Sequence, residues 1–509
     1  MARVPSFIER PPVVAVLGHV DHGKSTLLDF IRKSNTVAKE AGGITQHVAA
    51  YEVTREITDP STSLRVNKRI TFIDTPGHAA FGAIRARGAN VADIAILVVA
   101  ADDGVKPQTL EALSSIKDAD IPFIVAINKT DKPEANIERT QASLMEKGVY
   151  LEKLGGDVPW TAISAKTGHG VDELLDLILI VAELNEFKGD PAAPASGYVI
   201  EAHRDSKRGI AATLIITDGT LRQGSAVLAG HAIAPVRILE KTTGESVREA
   251  SFSMPVRLVG FDELPDVGAA FQTYKNKRDA EEARTEKPVR ERLAPISEQG
   301  ADESGSEHFY LPVIVRADTI GSLEAVTHEA ARIADAHSSV RIVQSGIGNV
   351  SETDVKSALA GTVPAAVLGF NVGIDGIAQT LARQSNVTIE TFDIIYKLTE
   401  RLEEMLHTLR PKRVVEETLG KAKVLKQFST RKDLHVIGGA VADGYIARNA
   451  SIRVLRRNTV VGVGKIKNLQ AHKQNVDRVE AKGEFGAQVA ADFEVAAGDV
   501  LECFAVKEV

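Results

Sequence analysis

The order of apolar and polar positions changes several times along the chain. Over residues 11–190, short apolar runs such as 13–17 and 121–127 alternate with amphipathic stretches, and one of these, 174–180, predicts a closing helix. Apolar runs of strand length separated by amphipathic helices are typical of a mostly parallel sheet that helices cover on its faces. Residues 11–190 therefore predict an α/β domain.

After residue 190 the pattern becomes one of short strands. Pro and Ala residues in 191–197 indicate a linker, and residues 198–274 alternate apolar and polar positions between glycine turns, which predicts a β-barrel. Residues 277–307 are rich in charge and poor in apolar side chains. They predict a helical or disordered connector.

The C-terminal part of the chain repeats these two patterns. Residues 308–396 alternate strands and helices, residues 397–409 predict a charged amphipathic helix that Pro411 ends or kinks, and residues 421–509 return to alternating strands. The predicted fold class is multidomain α/β plus β. Its parts, in order, are a short leader (1–10), an α/β domain (11–190), a β-barrel (195–276), a charged connector (277–307), an α/β/α sandwich (308–396), a connecting helix (397–417) and a C-terminal β-barrel (418–509).

A phosphate-binding loop is indicated directly after the first long apolar run. Residues 18–25 read Gly-His-Val-Asp-His-Gly-Lys-Ser, and a helical pattern follows them. Backbone N–H groups of such a P-loop and the positive end of the helix dipole bind phosphate. We expect Lys24 to reach the β- and γ-phosphates and the Ser25 hydroxyl to ligate Mg²⁺. The predicted nucleotide-binding residues here are Gly18, His19, Val20, Asp21, His22, Gly23, Lys24, Ser25 and Thr26.

Asn128, Lys129 and Asp131 follow another apolar run and predict that the base is guanine. The Asp131 carboxylate can accept hydrogen bonds from guanine N1–H and N2–H₂, whereas adenine offers no donor there and would leave the carboxylate unpaired. Asn128 is expected at the base edge, with the Lys129 stem along the base. A later loop offers a backbone N–H to guanine O6, and its residues are Ser164, Ala165 and Lys166.

Residues between these motifs supply the candidate catalytic groups. Asp74 ends a predicted strand and suits an indirect hold on Mg²⁺, and Gly77 lets a backbone N–H approach the γ-phosphate because it has no side chain. His78 can orient an attacking water, the alternative being a solvated loop histidine. Residues 42–45 read Gly-Gly-Ile-Thr, and Thr45 is expected to complete the Mg²⁺ site only when the γ-phosphate is present, unless the segment is an ordinary flexible turn.

Longer stretches around these residues resemble known proteins. Residues 18–28 and 74–87 look like a translational GTPase. The runs at 40–47, 78–81 and 85–89 narrow the resemblance to bacterial-type translation initiation factor two.

The resemblance implies that Val20 and Ile44 form an apolar gate in front of His78, which keeps the histidine from the water until the ribosome repositions it. Slow intrinsic hydrolysis would follow, and plain loop packing is the alternative for Val20 and Ile44. The resemblance also implies GTP or GDP and Mg²⁺ as cofactors, and a cytoplasmic monomer. The implied partners are the small and large ribosomal subunits, initiator tRNA and other initiation factors. Relatives commonly carry a long N-terminal extension that this sequence does not contain.

In the family, the last barrel grips the formylmethionyl acceptor end of initiator tRNA, and here the sequence departs from the pattern. Relatives usually carry a cysteine where this chain reads Gly438-Gly439-Ala440, and a second one where it has Phe485. The implied tRNA contacts are Lys473, Glu484, Phe485 and Gly486. Two interpretations remain open. Either the pocket for the formylated methionine is rebuilt around Phe485, or both cysteine positions are tolerant packing sites and recognition is unaltered.

Charge is distributed unevenly. The formal net charge is −7, but residues 421–509 carry 15 Lys and Arg and 10 Asp and Glu, a net charge of +5 that leaves −12 for the rest. A basic C-terminal part is typical of contact with a polyanion, and a merely solvated basic face is the alternative. The single cysteine, Cys503, excludes an intrachain disulfide and fits a reducing cytosol, and no apolar run predicts a membrane span.

The leading prediction is an initiation GTPase that places initiator tRNA on the small subunit, promotes joining of the large subunit and hydrolyses GTP on the assembled ribosome. An elongation-type carrier would need two barrels directly after the GTPase domain, whereas an α/β unit intervenes here. A GTP-gated ribosome-associated binding or quality-control factor, with altered or lost formylmethionine selectivity, is the alternative from another class. A metabolic GTPase of sulfate activation shares the opening motifs, but no second catalytic cluster supports it.

Overall fold

The computed structural model of the chain describes residues 7–33, 45–46, 48–58, 65–205, 207–286, 308–335, 337–361, 363–410, 414–431, 433–457, 459–472 and 474–508. The chain divides into two compact units, Met1–Leu409 and Arg410–Val509. Ile44 and Lys473, two of the predicted site residues, lie outside the described residues. The same holds for Gly42, Gly43, Pro411 and most of the predicted connector.

The first part of the chain forms the predicted helix-covered sheet, with strand order β3-β4-β2-β5-β6-β7 and only the β3–β4 pair antiparallel. A small pair, β1 with β8, lies beside it. The elements are β1 (Ile8–Glu9), β2 (Val13–Gly18), α1 (Lys24–Arg32), β3 (Ala49–Thr58), β4 (Arg65–Asp74), α2 (Gly82–Val91), β5 (Ile94–Ala100), α3 (Pro107–Asp118), β6 (Phe123–Asn128), α4 (Ile137–Glu146), β7 (Trp160–Ala162), α5 (Val171–Leu184) and β8 (Lys188–Gly189).

The centre of this sheet is buried on both faces. Every residue of β2 and β5 is buried, because helices cover the sheet from either side and alternate side chains of each strand enter different cores. Val14 and Val16 pack with one set of apolar side chains, whereas Ala15 and Leu17 pack with another. Since the central strands are parallel, their carboxyl ends bring Gly18, Asp74 and Asn128 to one edge.

An antiparallel region follows, with a seven-stranded sheet of order β13-β12-β17-β9-β10-β16-β14 and a separate pair, β11 with β15. Apolar side chains of both sheets share one core. The first ten residues of the predicted connector form a helix, and Ala280 of that helix packs on the sheet. The elements are β9 (Ser196–Asp205), β10 (Gly209–Asp218), β11 (Thr220–Arg222), β12 (Ala226–Ala229), β13 (Ala232–Pro235), β14 (Ile238–Lys241), β15 (Glu249–Ser251), β16 (Pro255–Phe261), β17 (Ala270–Tyr274) and α6 (Lys277–Glu286).

The second α/β part has a four-stranded parallel sheet of order β19-β18-β20-β21. Its elements are β18 (Phe309–Ala317), α7 (Ile320–Arg332), β19 (Ser338–Ile347), α8 (Glu352–Ala358), β20 (Ala366–Phe370), α9 (Gly376–Ser385), β21 (Ile389–Phe392) and α10 (Ile395–Leu409). Helix α10 belongs to the core of this part, since Leu398, Leu402 and Met405 are buried with the sheet residues. That spacing forms one apolar stripe along the helix. Residues 414–417, predicted as the end of a connecting helix, lie in a strand.

The C-terminal unit is a closed barrel of six strands. The order β22-β29-β24-β25-β28-β23 returns to its start because β22 also pairs with β23. The elements are β22 (Val414–Arg431), β23 (Leu434–Ala447), β24 (Ser451–Arg456), β25 (Thr459–Ala471), β26 (Gln474–Asn475), β27 (Arg478–Glu480), β28 (Glu484–Ala490) and β29 (Val500–Glu508). The predicted fold class is confirmed, with α/β and β parts alternating twice along the chain.

The interior of this barrel contains Phe485, one of the two positions at which the resemblance predicts a cysteine. Phe485 is 5% exposed, and its ring lies against Gly439 on the neighbouring strand. A Cβ atom on Gly439 would lie 2.7 Å from Phe485 Cζ and 2.5 Å from the Lys423 carbonyl oxygen. The ring therefore fills space that exists only because residue 439 has no side chain.

This packing predicts that Gly439→Ala destabilises the barrel by about 1–3 kcal/mol, because the added methyl group overpacks a filled core. Hydrogen exchange of the barrel strands in the full chain measures the loss. Gly486→Ala is the matched control, since a Cβ there meets nothing within 4 Å and the residue lies on the strand that pairs with β23. Equal exchange in the two variants would contradict the tight contact at Gly439.

Candidate guanine-nucleotide site

The phosphate loop has a backbone that only glycine adopts easily at its two ends. Gly18 has φ +143° and a Cβ there would collide with the Val98 carbonyl oxygen, and Gly23 has φ +85° with its Cβ position 2.5 Å from Asn128 Nδ2. Between them, residues 20–22 form a short 3-10 turn. Helix α1 begins at Lys24 without a side-chain cap, so its first N–H groups are available to an anion.

Lys24 is the buried cation of the site. Its side chain is 3% exposed, and Nζ donates a hydrogen bond to the His19 carbonyl oxygen at 2.7 Å. Burial lowers the pKa of Lys24 to about 8, while the nearby Asp74 carboxylate acts in the opposite direction. A Cβ on Gly77 would collide with Nζ and lie 2.9 Å from Val20 Cα. The missing side chain at Gly77 thus lets the loop after β4 approach the phosphate loop.

Two hydroxyl groups and a carboxylate form the oxygen-rich part of the site. Ser25 Oγ lies 2.6 Å from Thr45 Oγ1, and both Thr45 and Asp74 are largely buried. Thr75 Oγ1 donates to the Val16 carbonyl oxygen at 2.8 Å, which fixes the chain directly after Asp74. The structure therefore brings together the phosphate loop and the predicted switch threonine, which lie 20 residues apart in the sequence.

Asn128 joins the phosphate loop to the base-binding loops. Its Nδ2 donates to the His22 carbonyl oxygen at 2.8 Å, and its Oδ1 accepts from the Ala165 backbone N–H at 3.0 Å. Ser164 Oγ donates to Asp131 Oδ1 at 2.7 Å, and this bond lowers the pKa of Asp131. Asp131 is exposed and ionised, so it is accessible to the edge of a base.

The loop residues differ in the part they contribute. The ring of His22 points into the protein, where Nδ1 lies 3.3 Å from the Val98 carbonyl oxygen, and burial lowers the pKa of His22 to about 4. The Val20 N–H donates to Gln108 Oε1 at 3.2 Å. Asp21 and Thr26 are exposed, as is Lys166 on the later loop. Lys129 has φ +63°, which turns the backbone between Asn128 and Asp131.

His78 is half-buried at the start of a 3-10 turn. Its Nδ1 accepts the Ala80 backbone N–H at 2.9 Å, and its ring meets the Tyr396 ring edge-on with centroids 4.5 Å apart. Burial lowers the pKa of His78, and Arg85 adds to this effect while Glu329 opposes it. The ring is therefore neutral at pH 7.

Arg85 is a residue whose role the sequence reasoning missed, although it lies in one of the motifs. It is 1% exposed, and its guanidinium donates to the carbonyl oxygens of Gly77 and His78 and pairs with Glu111 at 2.6 Å. A buried arginine bound to main-chain oxygens fixes the backbone on both sides of the catalytic candidate. The only sequence signal for this role was the position of Arg85, a basic residue seven positions after the candidate His78.

The predicted tRNA-binding residues of the C-terminal unit do not share one surface. Glu484 is exposed and Gly486 is half-buried, but Phe485 points into the barrel core. The aromatic side chain on the outside is Phe428, which is 63% exposed. Its ring lies over Gly438, where a Cβ would come within 2.8 Å of Phe428 Cε2. Alternation along a strand that contains bulges did not reveal which aromatic faces outward.

Asn128→Ala is expected to lower the affinity for GTP and GDP alike, by about 5- to 150-fold, because it leaves two buried main-chain groups without partners. Fluorescent-nucleotide titration measures both affinities. Asn136→Ala is a suitable control, because Asn136 caps α4 through Arg139 at 2.8 Å and has no contact with the phosphate loop in the structure. A loss confined to GTP would contradict the bridging role.

Family models match three stretches of the chain. The Elongation factor Tu GTP binding domain matches residues 9–183, Elongation factor G domain 2 matches residues 194–274, and Translation-initiation factor 2 matches residues 282–403. Among the helices that the structure describes, none is long and apolar enough to cross a membrane.

Curated relatives match almost the whole chain. Translation initiation factor IF-2 of Rubrobacter xylanophilus is 41% identical over 99% of this chain and 72% of the relative, and that of Thermotoga petrophila has the same identity and coverage. Among solved structures, GDP-bound aIF5B from Aeropyrum pernix is 27% identical over 97% of this chain and 92% of that chain, with a TM-score of 0.45. On the identity and coverage of its curated relatives, the chain belongs to the translation initiation factor IF-2 family and is a guanine-nucleotide-binding translation initiation GTPase.

Proposed function

We propose that this initiation GTPase binds formylmethionyl initiator tRNA through its C-terminal barrel and promotes placement of the tRNA on the small ribosomal subunit. It then supports joining of the large subunit and hydrolyses GTP on the assembled ribosome, in the cytoplasm. The observation that carries the proposal is the 2.6 Å approach of Thr45 to Ser25. A segment that can respond to the γ-phosphate meets the phosphate loop there, so tRNA and ribosome binding can depend on the nucleotide.

The residues at this point fit a magnesium ion. Two hydroxyl oxygens and a largely buried carboxylate are hard oxygen donors of the kind that Mg²⁺ prefers, and Ser25 and Thr45 would hold it with Asp74 behind them. When bound, Mg²⁺ supplies positive charge to the β- and γ-phosphates. Lys24 adds its own charge from the buried side of the loop, and Asp131 and Asn128 select and hold the guanine base.

The contacts of His78 support the expectation of slow hydrolysis in the absence of the ribosome. In a neutral imidazole one nitrogen carries the proton, and Nδ1 accepts the Ala80 N–H, so the proton is on Nε2. In this position the ring has no free acceptor for a proton of the attacking water. His78 has to leave the Ala80 N–H before it can act on water at the γ-phosphate, and the ribosome is the proposed source of that movement.

The outer face of the barrel supports binding of a tRNA end. Lys426 Nζ lies 5.6 Å from the centre of the exposed Phe428 ring, and Lys423 is exposed on the same strand. Nucleotide bases stack on exposed aromatic rings, and neighbouring lysines bind the phosphates. We therefore place the acceptor-end contact at Phe428.

The buried ring of Phe485 supports the second of the two interpretations for the substituted cysteine positions. Since the Phe485 ring fills core space that Gly439 leaves free, a substitution at residue 485 changes packing within the barrel. Recognition of the formylated methionine then depends on the outer face and is unaltered. A GTP-gated quality-control factor is not favoured, because the relatives over nearly the whole chain are initiation factors.

His78→Ala is expected to reduce ribosome-stimulated GTP hydrolysis by about 10²- to 10⁴-fold while leaving GTP affinity unchanged, since the histidine acts on water and does not hold the nucleotide. Single-turnover hydrolysis with both ribosomal subunits measures this effect. The exposed His337→Ala serves as the matched histidine control. Stimulated turnover that survives in His78→Ala would show that the assigned role is wrong.

Phe428→Ala is expected to weaken binding of formylmethionyl-tRNA by about 5- to 150-fold, which corresponds to the loss of one base stacked on an aromatic ring. Protection of the aminoacyl ester from hydrolysis reports binding. Val460→Ala removes a comparably exposed apolar side chain from the same barrel and should have little effect. Equal loss of binding in the two variants would contradict the proposed contact at Phe428. Equal protection of formylated and unformylated tRNA would contradict selection of the formyl group.

A further inference from the structure

Gln46, the residue that follows Thr45, is hydrogen-bonded to the segment where α10 begins. Gln46 is 5% exposed, its Nε2 donates to the Asp393 carbonyl oxygen at 2.8 Å, and its Oε1 accepts the Ile395 N–H at 3.3 Å. The donor and the acceptor of the Gln46 side chain therefore both bind the segment where α10 begins. Because Gln46 adjoins Thr45, these hydrogen bonds link the start of α10 to the segment that carries the Thr45 hydroxyl.

The next residue of α10 contacts the catalytic histidine. Tyr396 meets His78 edge-on, with ring centroids 4.5 Å apart and an angle of 77° between the ring planes. Edge-on aromatic pairs shift an equilibrium by about 2- to 10-fold beyond the area that they bury. The same short segment, Asp393 to Tyr396, thus contacts both His78 and the residue that follows Thr45.

This segment has little freedom of its own. Ile395 is buried in a core that also contains Phe81 and Ile84, which follow His78 in the chain. Helix α2 packs closely on α7, because a Cβ on Gly321 would lie 2.6 Å from Ile84 Cδ1. The second α/β part is therefore fitted against the switch region over a wide surface. A rotation of that part as a body would release Gln46 and His78 together.

The groups around His78 come from three elements. Arg85 of α2 and Arg332 of α7 lower the pKa of His78 in addition to burial, Glu329 of α7 raises it, and Tyr396 of α10 covers the ring. Removal of the Tyr396 ring would expose the imidazole to water without changing any of these charges. The pKa of His78 therefore reports directly whether the ring is covered.

We propose that Tyr396 is a positioning residue for GTP hydrolysis: it holds the neutral His78 ring in its retracted position, and Gln46 keeps the start of α10 in place for this contact. The inference rests on the proposed role of His78 and adds a contact from the second α/β part to the apolar gate expected at Val20 and Ile44. His78 reaches the γ-phosphate only after its ring leaves Tyr396.

The decisive variant is Tyr396→Ala. Its basal GTP hydrolysis, measured without ribosomes, should rise about 2- to 10-fold with an unchanged KM for GTP, because one contact that retains His78 is lost. Tyr396→Phe should behave like the unmodified chain, since the ring contact does not involve the hydroxyl. The double variant Tyr396→Ala with His78→Ala should show no rise, because the effect acts through the histidine.

A second measurement does not depend on turnover. The imidazole C–H signals of His78, followed by NMR across a pH series, should titrate at a higher pH in Tyr396→Ala than in Tyr396→Phe, because burial is the largest cause of the lowered pKa. A purely structural role of Tyr396 would change thermal stability and leave this titration where it is.

The inference would be overturned if Tyr396→Ala changed neither basal turnover nor the His78 titration. A fall in basal turnover would also overturn it, because the contact would then favour hydrolysis. The proposed function fails separately, namely if His78→Ala retains ribosome-stimulated hydrolysis. Gln46→Ala should also raise basal turnover, and its effect should be less than multiplicative with that of Tyr396→Ala. Fully multiplicative effects would contradict their action on a single helix start.

Discussion

The carboxamide of Asn128 makes the link on which the geometry of the nucleotide site depends. It uses its donor on the phosphate loop and its acceptor on the loop that carries Ala165, so the predicted phosphate-binding and base-binding segments are joined by one side chain. Gly23 has to lack a side chain because the amide occupies that space. The position of Lys24, one residue later, follows from this arrangement.

Around that link, the predicted site residues fall into two groups with different surroundings. The base loops and the phosphate loop are joined by the side-chain hydrogen bonds of Asn128 at the carboxyl edge of the sheet, beside the fully buried strands β2 and β5. Thr45 lies against the phosphate loop, while His78 and Gln46, the residue after Thr45, contact the start of α10. Such a division suits a GTPase, in which recognition of guanine stays constant while the response to the γ-phosphate changes.

Short-range patterns in the sequence were sufficient for much of this description. The order of α/β and β parts follows from the spacing of apolar residues, and the phosphate and base loops follow from local motifs at strand ends. The roles of Gln46 and Tyr396 could not be found in that way, because their contacts join residues more than 300 positions apart. The burial of Phe485 also escaped prediction, since the inward face of a barrel strand depends on pairing with Gly439 and on bulges along the neighbouring strands.

The hydrogen bonds of Gln46 also bear on the order in which the protein becomes functional during its synthesis. The loops that bind phosphate and guanine are complete once Ala165 has been made, whereas Gln46 has no partner until residues 393–395 follow. Because domains fold from the N-terminus as they leave the ribosome, a nascent chain can acquire a nucleotide well before α10 exists. The contacts between the Gln46 segment and α10 can thus form only after the loops joined by Asn128 have been made.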